Sequence, residues 1–373
     1  MWSRPIYLVV TFLLPIICML FWGTFMNDGL PSSIPIGVID LDNTATSRNT
    51  IRQIDATQQN TIVAHYANFS DARDAMQRGK IYAFFEIPAN FQSDIYTGKQ
   101  PNIDFYYNST FLIAGSLVNK NLSIMSATIS GGVTLKMFTA KGMDAKTAMA
   151  QLRPITPEFY AIGNPWINYS VYLVNVILPG LLGLIILLMT VYSIGVELKM
   201  STGRKWLRAA NNKISIAILG KQLPYTFCFT VVFVACDIML FKILHYPLHC
   251  NLGWMLLNSF LFVIANQSLG IFMIEIFPVL RDGLSFASLF GVLSFSFAGL
   301  SFPIEQMFPF MQAWSYLFPI RHYYLIYQNI ALNGFEPYYA LWDYSCLMFF
   351  IFLPFLLAFR LKKALIYDRY PKK

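Results

Sequence analysis

From Tyr169 to Ile194 the chain runs without a single charged side chain, and a segment of that kind has few places to go. About 20 apolar residues in a helix cross the roughly 30 Å hydrocarbon core of a bilayer, and a helix satisfies its own backbone polar groups there. Segments of the same character recur at Ile6 to Met26, Leu219 to Leu240, Leu252 to Ile276, Leu284 to Leu300 and Leu341 to Phe359. The 373 residues are 56% hydrophobic, 16% aromatic and only 12% charged, which lies outside the globular range. The expected fold class is a polytopic α-helical membrane protein with six transmembrane helices. The first segment is read as an uncleaved span, because it is too long for a signal peptide and Phe21-Trp22-Gly23-Thr24-Phe25 offers no small-x-small cleavage site.

One stretch interrupts the apolar pattern. Residues 27–168 have an ordinary soluble composition, no cysteine, and equal numbers of acidic and basic side chains. Strand and helix signals alternate through it. Ile34 to Leu41 reads as a strand, Ser47 to Gln58 as a helix with Ile51 and Ile54 on one face, and Thr61 to Tyr66 as a strand. Ser70 is expected to cap a helix that Gly79 stops, Ile81 to Ile87 to form a third strand, Asn90 to cap a helix through Tyr96, and Asn102 to Tyr107 to form a fourth strand. The order β-α-β-α-β-α-β implies a small inserted α/β domain. Phe111 to Lys141 is rich in Leu, Ile and Met but keeps Asn119, Lys120, Asn121 and Lys136. Charge at mid-membrane is costly, so a long amphipathic helix is expected rather than a span. A break at Gly142 and a short helix from Asp144 to Arg153-Pro154 follow.

Three parts result: a first transmembrane helix (1–26), an extracytoplasmic α/β domain with its long helix (27–168), and a five-helix transmembrane domain (169–373). The last contains a cytoplasmic loop at 195–218, a proline-broken outer segment at 301–336 and a short tail. Orientation is read from the short loops, since long domains cross regardless of charge. Lys199, Arg204, Lys205, Arg208, Lys213 and Lys221 oppose Glu197 alone, and Arg360, Lys362, Lys363, Arg369, Lys372 and Lys373 oppose Asp368. Both regions are therefore expected inside. With six spans both termini are cytoplasmic, in an inner membrane, and the insert is outside.

Sites of chemistry are sparse. No G-x-x-x-x-G-K-[ST] loop, H-E-x-x-H, G-x-S-x-G or paired C-x-x-C occurs, so the chain lacks these signatures of a nucleotide hydrolase, metalloprotease, serine hydrolase or thiol oxidoreductase. His245, His249 and Cys250 lie close in sequence, but Pro247 spoils the helical i, i+4 spacing and no carboxylate is near; no metal site is expected. Asp237 and Glu275 fall within or beside apolar spans and are intramembrane charge candidates, with Lys242 and Arg281 as expected local partners. As one helix, Glu197 to Lys213 would gather Met200, Trp206, Leu207, Ala210 and Ile214 on one face and Arg204, Lys205 and Arg208 opposite, an anchor for anionic lipid or a docking surface. Gly299 to Gly334 is apolar but broken by Pro303, Pro309 and Pro319, so re-entrant or interfacial helices are expected, with Arg321-His322-Tyr323-Tyr324 at the outer headgroup level.

Read together, the phrases resemble those of type-2 ABC exporter permeases with a large external domain between the first two spans. They are Val38-Ile-Asp-Leu-Asp42 with Ser47-Arg48, Gly79 to Pro88 with Asn90-Phe91, Tyr107-Asn108, Glu197 with Ser201-Thr-Gly203 and Gly220-Lys221, Gly299 to Pro303, Phe308-Pro309, Phe318-Pro319 and Asn333-Gly334. The resemblance covers nearly the whole chain, although Ser-Thr-Gly stands where Gly-Thr is usual and only a few residues stand before the first span, where such permeases usually carry an elbow helix. It implies a permease that dimerises with a second copy or a paralogue, sits in the lipid bilayer, and binds a separate cytosolic ABC ATPase. ATP and Mg would then belong to that partner, with no cofactor in this chain, no catalytic residue and no nucleic-acid partner. It makes Glu197, Thr202, Gly203, Arg204, Lys205 and Arg208 the expected ATPase-coupling residues, and Pro179, Gly180, Gly299 and Pro303 the expected kinks along the path. A hydrophobic or amphipathic substrate, such as a drug, lipid or lipid-linked molecule, is expected to leave the cytoplasm or inner leaflet, with room for a periplasmic adaptor. The competing reading is a membrane-anchored surface protein whose external domain binds a partner.

Overall fold

The computed structural model describes residues 5–25, 29, 32–57, 59–152, 163–164, 168–300 and 302–367, without the side chains of 112, 113, 136 and 140. The expected helix end at Arg153-Pro154, the tail charges Asp368, Arg369, Lys372 and Lys373, and the side chain of Lys136 lie outside these residues. The chain divides into two compact units, one within 31–159 and the other from the remainder.

The membrane unit opens with α1 (Pro5–Phe25), which includes a π-helical turn at Val9–Leu13. The polar unit follows as β1 (Ile34–Asp40), α2 (Ala45–Asp55), β2 (Asn60–Tyr66), α3 (Phe69–Gln77), β3 (Ala83–Ile87), α4 (Phe91–Tyr96) and β4 (Asp104–Tyr107). The strand order is β2-β1-β3-β4, with β1 parallel to both β2 and β3 and β4 antiparallel to β3. Parallel strands covered on both faces read as continuous apolar runs, and the pleat explains how. Ile36, Val38, Ala83, Phe85 and Ile87 point to one face, under Ile54 of α2 and Phe91 of α4, while Ile39 and Phe84 point to the other, under Ala72 and Ala75 of α3. Gly37 is needed where it stands, because a Cβ there would lie 2.7 Å from the Tyr66 ring.

Caps settle the helix ends. Thr44 and Ser47 form a reciprocal capping box on α2. Asn68, not Ser70, caps α3, its carbonyl accepting the Asp71 N–H at 2.9 Å. Asn90 does occupy the cap position of α4, but in a left-handed conformation (φ 66°) and with no side-chain cap bond. Asp40 closes the turn after β1: its Oδ1 accepts the Asn43 N–H at 3.0 Å and its Oδ2 accepts from Ser47 Oγ at 2.7 Å. The long helix α5 (Leu112–Ala140) sets Val118 and Leu122 into the sheet core; α6 (Ala145–Leu152) follows the break at Gly142, where φ is +83°.

The remaining elements are helical: α7 (Tyr169–Lys199), α8 (Gly203–Ala209), α9 (Ile214–Ile243), α10 (Leu252–Ile276), α11 (Leu280–Ser296), α12 (Pro309–Ser315), α13 (Pro319–Ile326, continued by a π turn at Tyr327–Leu332) and α14 (Pro337–Tyr367). Among the described residues five helices are long and apolar enough to cross a membrane, namely α1, α7, α9, α10 and α14. The expected span at Leu284 to Leu300 is the 17-residue α11, displaced toward the N-terminus because Gly299 turns the chain at φ +86°. Helices α7 and α10 are central. Their contact uses small residues, since a Cβ on Gly183 would lie 2.8 Å from Phe262 and one on Gly270 3.0 Å from the Leu187 carbonyl. Helices α1, α9 and α14 turn large apolar side chains outward, including Phe25, Leu223, Phe227, Phe355 and Phe359, as a hydrocarbon surround allows.

The proline-broken segment is not laid along a surface as a whole. Helix α12 exposes Phe310, but α13 enters the bundle, where Tyr323 packs against Phe262 at 4.8 Å and Phe233 at 6.4 Å. Arg321, His322 and Tyr323 are buried among the side chains of the bundle. His322 Nδ1 meets Asp343 Oδ1 of α14 at 2.8 Å and its Nε2 donates to the Tyr316 carbonyl at 3.2 Å. Arg321 donates to Ser315 and stacks over the Tyr316 ring at 3.9 Å. The physical reason is pairing: a buried ionisable group is tolerated when its partners are buried with it. Asp343→Ala, which strands His322, is expected to lower stability by about 3 kcal/mol, read as a fall in thermal midpoint of the purified protein in detergent. Asp343→Asn, which keeps an acceptor, is expected to lose less.

Candidate functional site

The expected coupling helix from Glu197 to Lys213 is not one helix. Helix α7 ends at Lys199, where Ser201 takes a left-handed conformation (φ 53°) and the Thr202 and Ser201 N–H groups return to the Glu197 and Leu198 carbonyls at 3.1 and 3.3 Å. This is a six-to-one and five-to-two closure of the kind that glycine favours. Helix α8 then runs for only seven residues before Asn211 and Asn212, both at positive φ (54° and 56°), turn the chain into α9. The apolar arc drawn from sequence is therefore dismantled: Leu207 is buried and Trp206 half-buried, but Met200 is exposed.

What replaces it is a knot. Glu197, near the end of α7, accepts from the Thr202 hydroxyl and pairs with Lys221 of α9. The Lys221 ammonium also lies 4.9 Å from the centre of the Trp206 ring, a cation–π geometry. Gly203 lets α8 approach α14, because a Cβ there would meet Leu365 at 2.6 Å. Arg204 Nε donates to the Ile366 carbonyl of α14 at 2.7 Å. Four of the expected residues, Glu197, Thr202, Gly203 and Arg204, thus join α7, α8, α9 and α14 at one end of the bundle. Lys205 and Arg208 take no part in the knot and are exposed. Beside them, between α8 and α9, lies an open concavity of about 420 Å³ lined by Trp206, Ala209, Ala210, Ala217, Gly220 and Lys221. Trp206 and Ile216, with alanines, a glycine and one mostly covered cation between them, leave an open dent.

The other expected residues separate. Pro179 sits inside α7, which continues through it as one helix, so the carbonyl of Asn175 one turn earlier lacks its usual helical donor. The Asn175 amide donates to the Val171 carbonyl at 3.0 Å and to the Tyr327 hydroxyl at 2.6 Å. Gly180 is a crossing point, since a Cβ there would lie 2.4 Å from Phe295 and 2.5 Å from Ile320. Gly299 and Pro303 frame the turn out of α11 into the 3₁₀ turn Ile304–Gln306. Asp237 is fully buried and accepts from Ser259 of α10 at 2.7 Å; it does not pair with Lys242, which is exposed. Glu275 is likewise fully buried, with no hydrogen-bond partner for either oxygen among the described residues, while Arg281 pairs with its neighbour Asp282 at 3.2 Å. Sequence distance suggested those two pairs; helix rotation turned the carboxylates inward. Among the described residues no cluster of three or more His, Cys, Asp and Glu could hold a metal, and the 245–250 connection is fastened by the His249 N–H to the Ala331 carbonyl at 2.9 Å.

Sequence reading also passed over a set of buried amides and hydroxyls between spans. Gln222 donates to Ser193 Oγ at 3.1 Å, and Thr226 donates to Gln267 Oε1 at 2.7 Å. The signal was present as Gln222, Thr226 and Thr230 at four-residue spacing on one face of an apolar helix.

The knot predicts two opposite mutational effects. Lys221→Met removes the partner of a mostly buried carboxylate and is expected to destabilise by roughly 2 kcal/mol. Ser201→Gly relieves the left-handed backbone and is expected to stabilise by about 1 kcal/mol. Both are checked by thermal unfolding in detergent.

Comparison with curated proteins returns no match. The family model described as ABC-2 family transporter protein matches residues 5–360, which takes in α1, the polar unit, the α8 end and most of α14. The chain is a multi-pass membrane permease of an ABC transporter and belongs to the ABC-2 transporter family.

Proposed function

We propose that the chain is the membrane half of an exporter, driven by a separate cytosolic ATPase that docks on the exposed face of α8. The observation that carries this reading is the knot. A short helix with an outward basic edge is tied to α7 through Glu197 and Thr202, to α9 through Lys221, and to α14 through Arg204. Displacement of α8 is then transmitted to three long helices at once rather than absorbed in a loop. The neighbouring dent offers a receiving site for an apolar side chain, and Lys205 and Arg208 steer an acidic partner surface.

The topology follows from charge. The basic residues Lys199, Arg204, Lys205, Arg208 and Lys213 surround α8, so this end is cytoplasmic. Helix α11, about 25 Å long at 1.5 Å per residue, makes the sixth crossing with its neighbouring turns. Both termini are inside, in an inner membrane, and residues 27–168 are outside, where they extend the exit path or meet a periplasmic adaptor. Two permease chains, identical or paralogous, assemble with ATPase subunits that hold ATP and Mg. The substrate is hydrophobic or amphipathic, in keeping with the outward-facing Leu and Phe of α9 and α14 and with a cargo drawn from the cytoplasm or inner leaflet.

Arg204 has a structural bond inside the chain, so the decisive variant is Lys205→Glu/Arg208→Glu, which changes only exposed charge. Co-expressed with its cognate ATPase, this variant is expected to reach the membrane in normal amount and to lose ATPase co-purification by at least tenfold. Undiminished co-purification would reject α8 as the docking element.

A further inference from the structure

A lateral groove between α9, α10 and α14 has a volume of about 440 Å³, within the range of small-molecule sites. Its walls are apolar, with Leu223, Phe227, Ile264 and Phe355 among them, and no charged residue lines it. Its floor is different. Gln222 and Gln267 both line the groove and are 5% and 4% exposed. Each keeps one amide atom without a hydrogen-bond partner: the carbonyl oxygen of Gln222 and the amino nitrogen of Gln267. Thr230, one turn beyond Thr226 on the same wall, has an unpartnered hydroxyl as well. The Thr226 to Gln267 hydrogen bond of 2.7 Å holds the two walls together at this level.

Buried polar atoms without partners are rare and costly, the more so in hydrocarbon. We infer that this groove is a binding site for a neutral bilayer lipid with a free hydroxyl, of the diacylglycerol type. The leftover atoms define the complement. One is an acceptor and the other a donor, and an alcohol hydroxyl donates to the first while accepting from the second. An ammonium group cannot accept, and an ionised phosphodiester cannot donate. Depth argues the same way. Gln222 is eight residues from the start of α9 and Gln267 nine from the end of α10, so both lie roughly 12–14 Å along their helices from the end that carries α8. A charged headgroup drawn to that depth would lose its hydration; a lone hydroxyl replaces water with the two amides, and its acyl chains continue along Phe227 and Phe355. The site does not depend on the export reading, since occupancy requires neither the ATPase nor transport.

The test uses the full chain in phosphatidylcholine nanodiscs, without nucleotide. The probe is a diacylglycerol with a photoreactive group and an alkyne in one acyl chain, compared with the same molecule acetylated at its hydroxyl. The hydroxyl probe is expected to label peptides of α9 and α10 roughly tenfold more than the acetylated probe, and Gln222→Leu/Gln267→Leu to remove that preference. Ile264→Trp fills the groove while leaving both amides in place and is expected to abolish labelling of either kind there; it decides the matter if the double variant fails to fold by size exclusion. Equal labelling by the two probes would mean ordinary lipid contact and would overturn the proposal, as would unchanged labelling in Ile264→Trp. Labelling that holds while ATP-driven export fails would leave this site standing and refute only the export reading.

Discussion

Hydrocarbon offers no hydrogen bonds, and the arrangement of this protein's helices follows from that. Every polar side chain carried into the bundle has to find a partner on another helix or remain at a cost of a few kcal/mol. The partners found here form a sequence of cross-ties: Ser193 with Gln222, Thr226 with Gln267, Ser259 with Asp237, Asn258 with the Tyr323 carbonyl, and Asn175 with Tyr327. Apolar packing alone would leave helix rotation weakly specified, because one oily face fits lipid as well as another. The polar ties select one rotation for each helix. Each of these ties has one end on α7 or α10, the two helices at the centre of the bundle.

The same constraint separates the two ends of the membrane unit. At the α8 end, ionic groups stay near the surface and serve as fasteners: Glu197 and Lys221 are partly covered, and Arg204 reaches a helix-terminal carbonyl that has no partner within its own helix. At the other end Arg321, His322 and Asp343 are buried, Arg321 against Ser315 and the Tyr316 ring and His322 against Asp343. The His322–Asp343 contact holds α13 against α14, turning a proline-broken stretch into part of the core. A buried His322–Asp343 contact fastens one end of the membrane unit, and a short basic helix lies exposed at the other.

Much of the polar unit was legible beforehand because its signals are local. Short β-rich apolar runs, the glycines at 79 and 98, and the Leu/Ile pattern of α5 each act within a few residues, and the element order read from them is the order observed. The exceptions are instructive. Asn68 rather than Ser70 caps α3, and Asn90 caps nothing through its side chain, because a cap depends on backbone geometry that residue type only biases. The stretch from Glu197 to Lys213 was misread as one helix for a related reason: its 3.6-residue periodicity was genuine, but three left-handed residues, Ser201, Asn211 and Asn212, divide it. None of them is glycine, so the sequence carried no strong stop signal.

Composition and periodicity by themselves determined that this chain crosses a membrane repeatedly, that a small α/β unit interrupts it, and where the basic loop falls. These are properties of single segments, fixed by transfer energies and local backbone preference. Only the tertiary structure decided that Asp237 turns to Ser259 and not to Lys242, that His322 meets Asp343, that Glu197 meets Lys221, and that Gln222 and Gln267 share a groove with one acceptor and one donor to spare. Each of those depends on how far one helix is rotated against another, a quantity set by the sum of many close contacts across the bundle and carried by no single stretch of sequence.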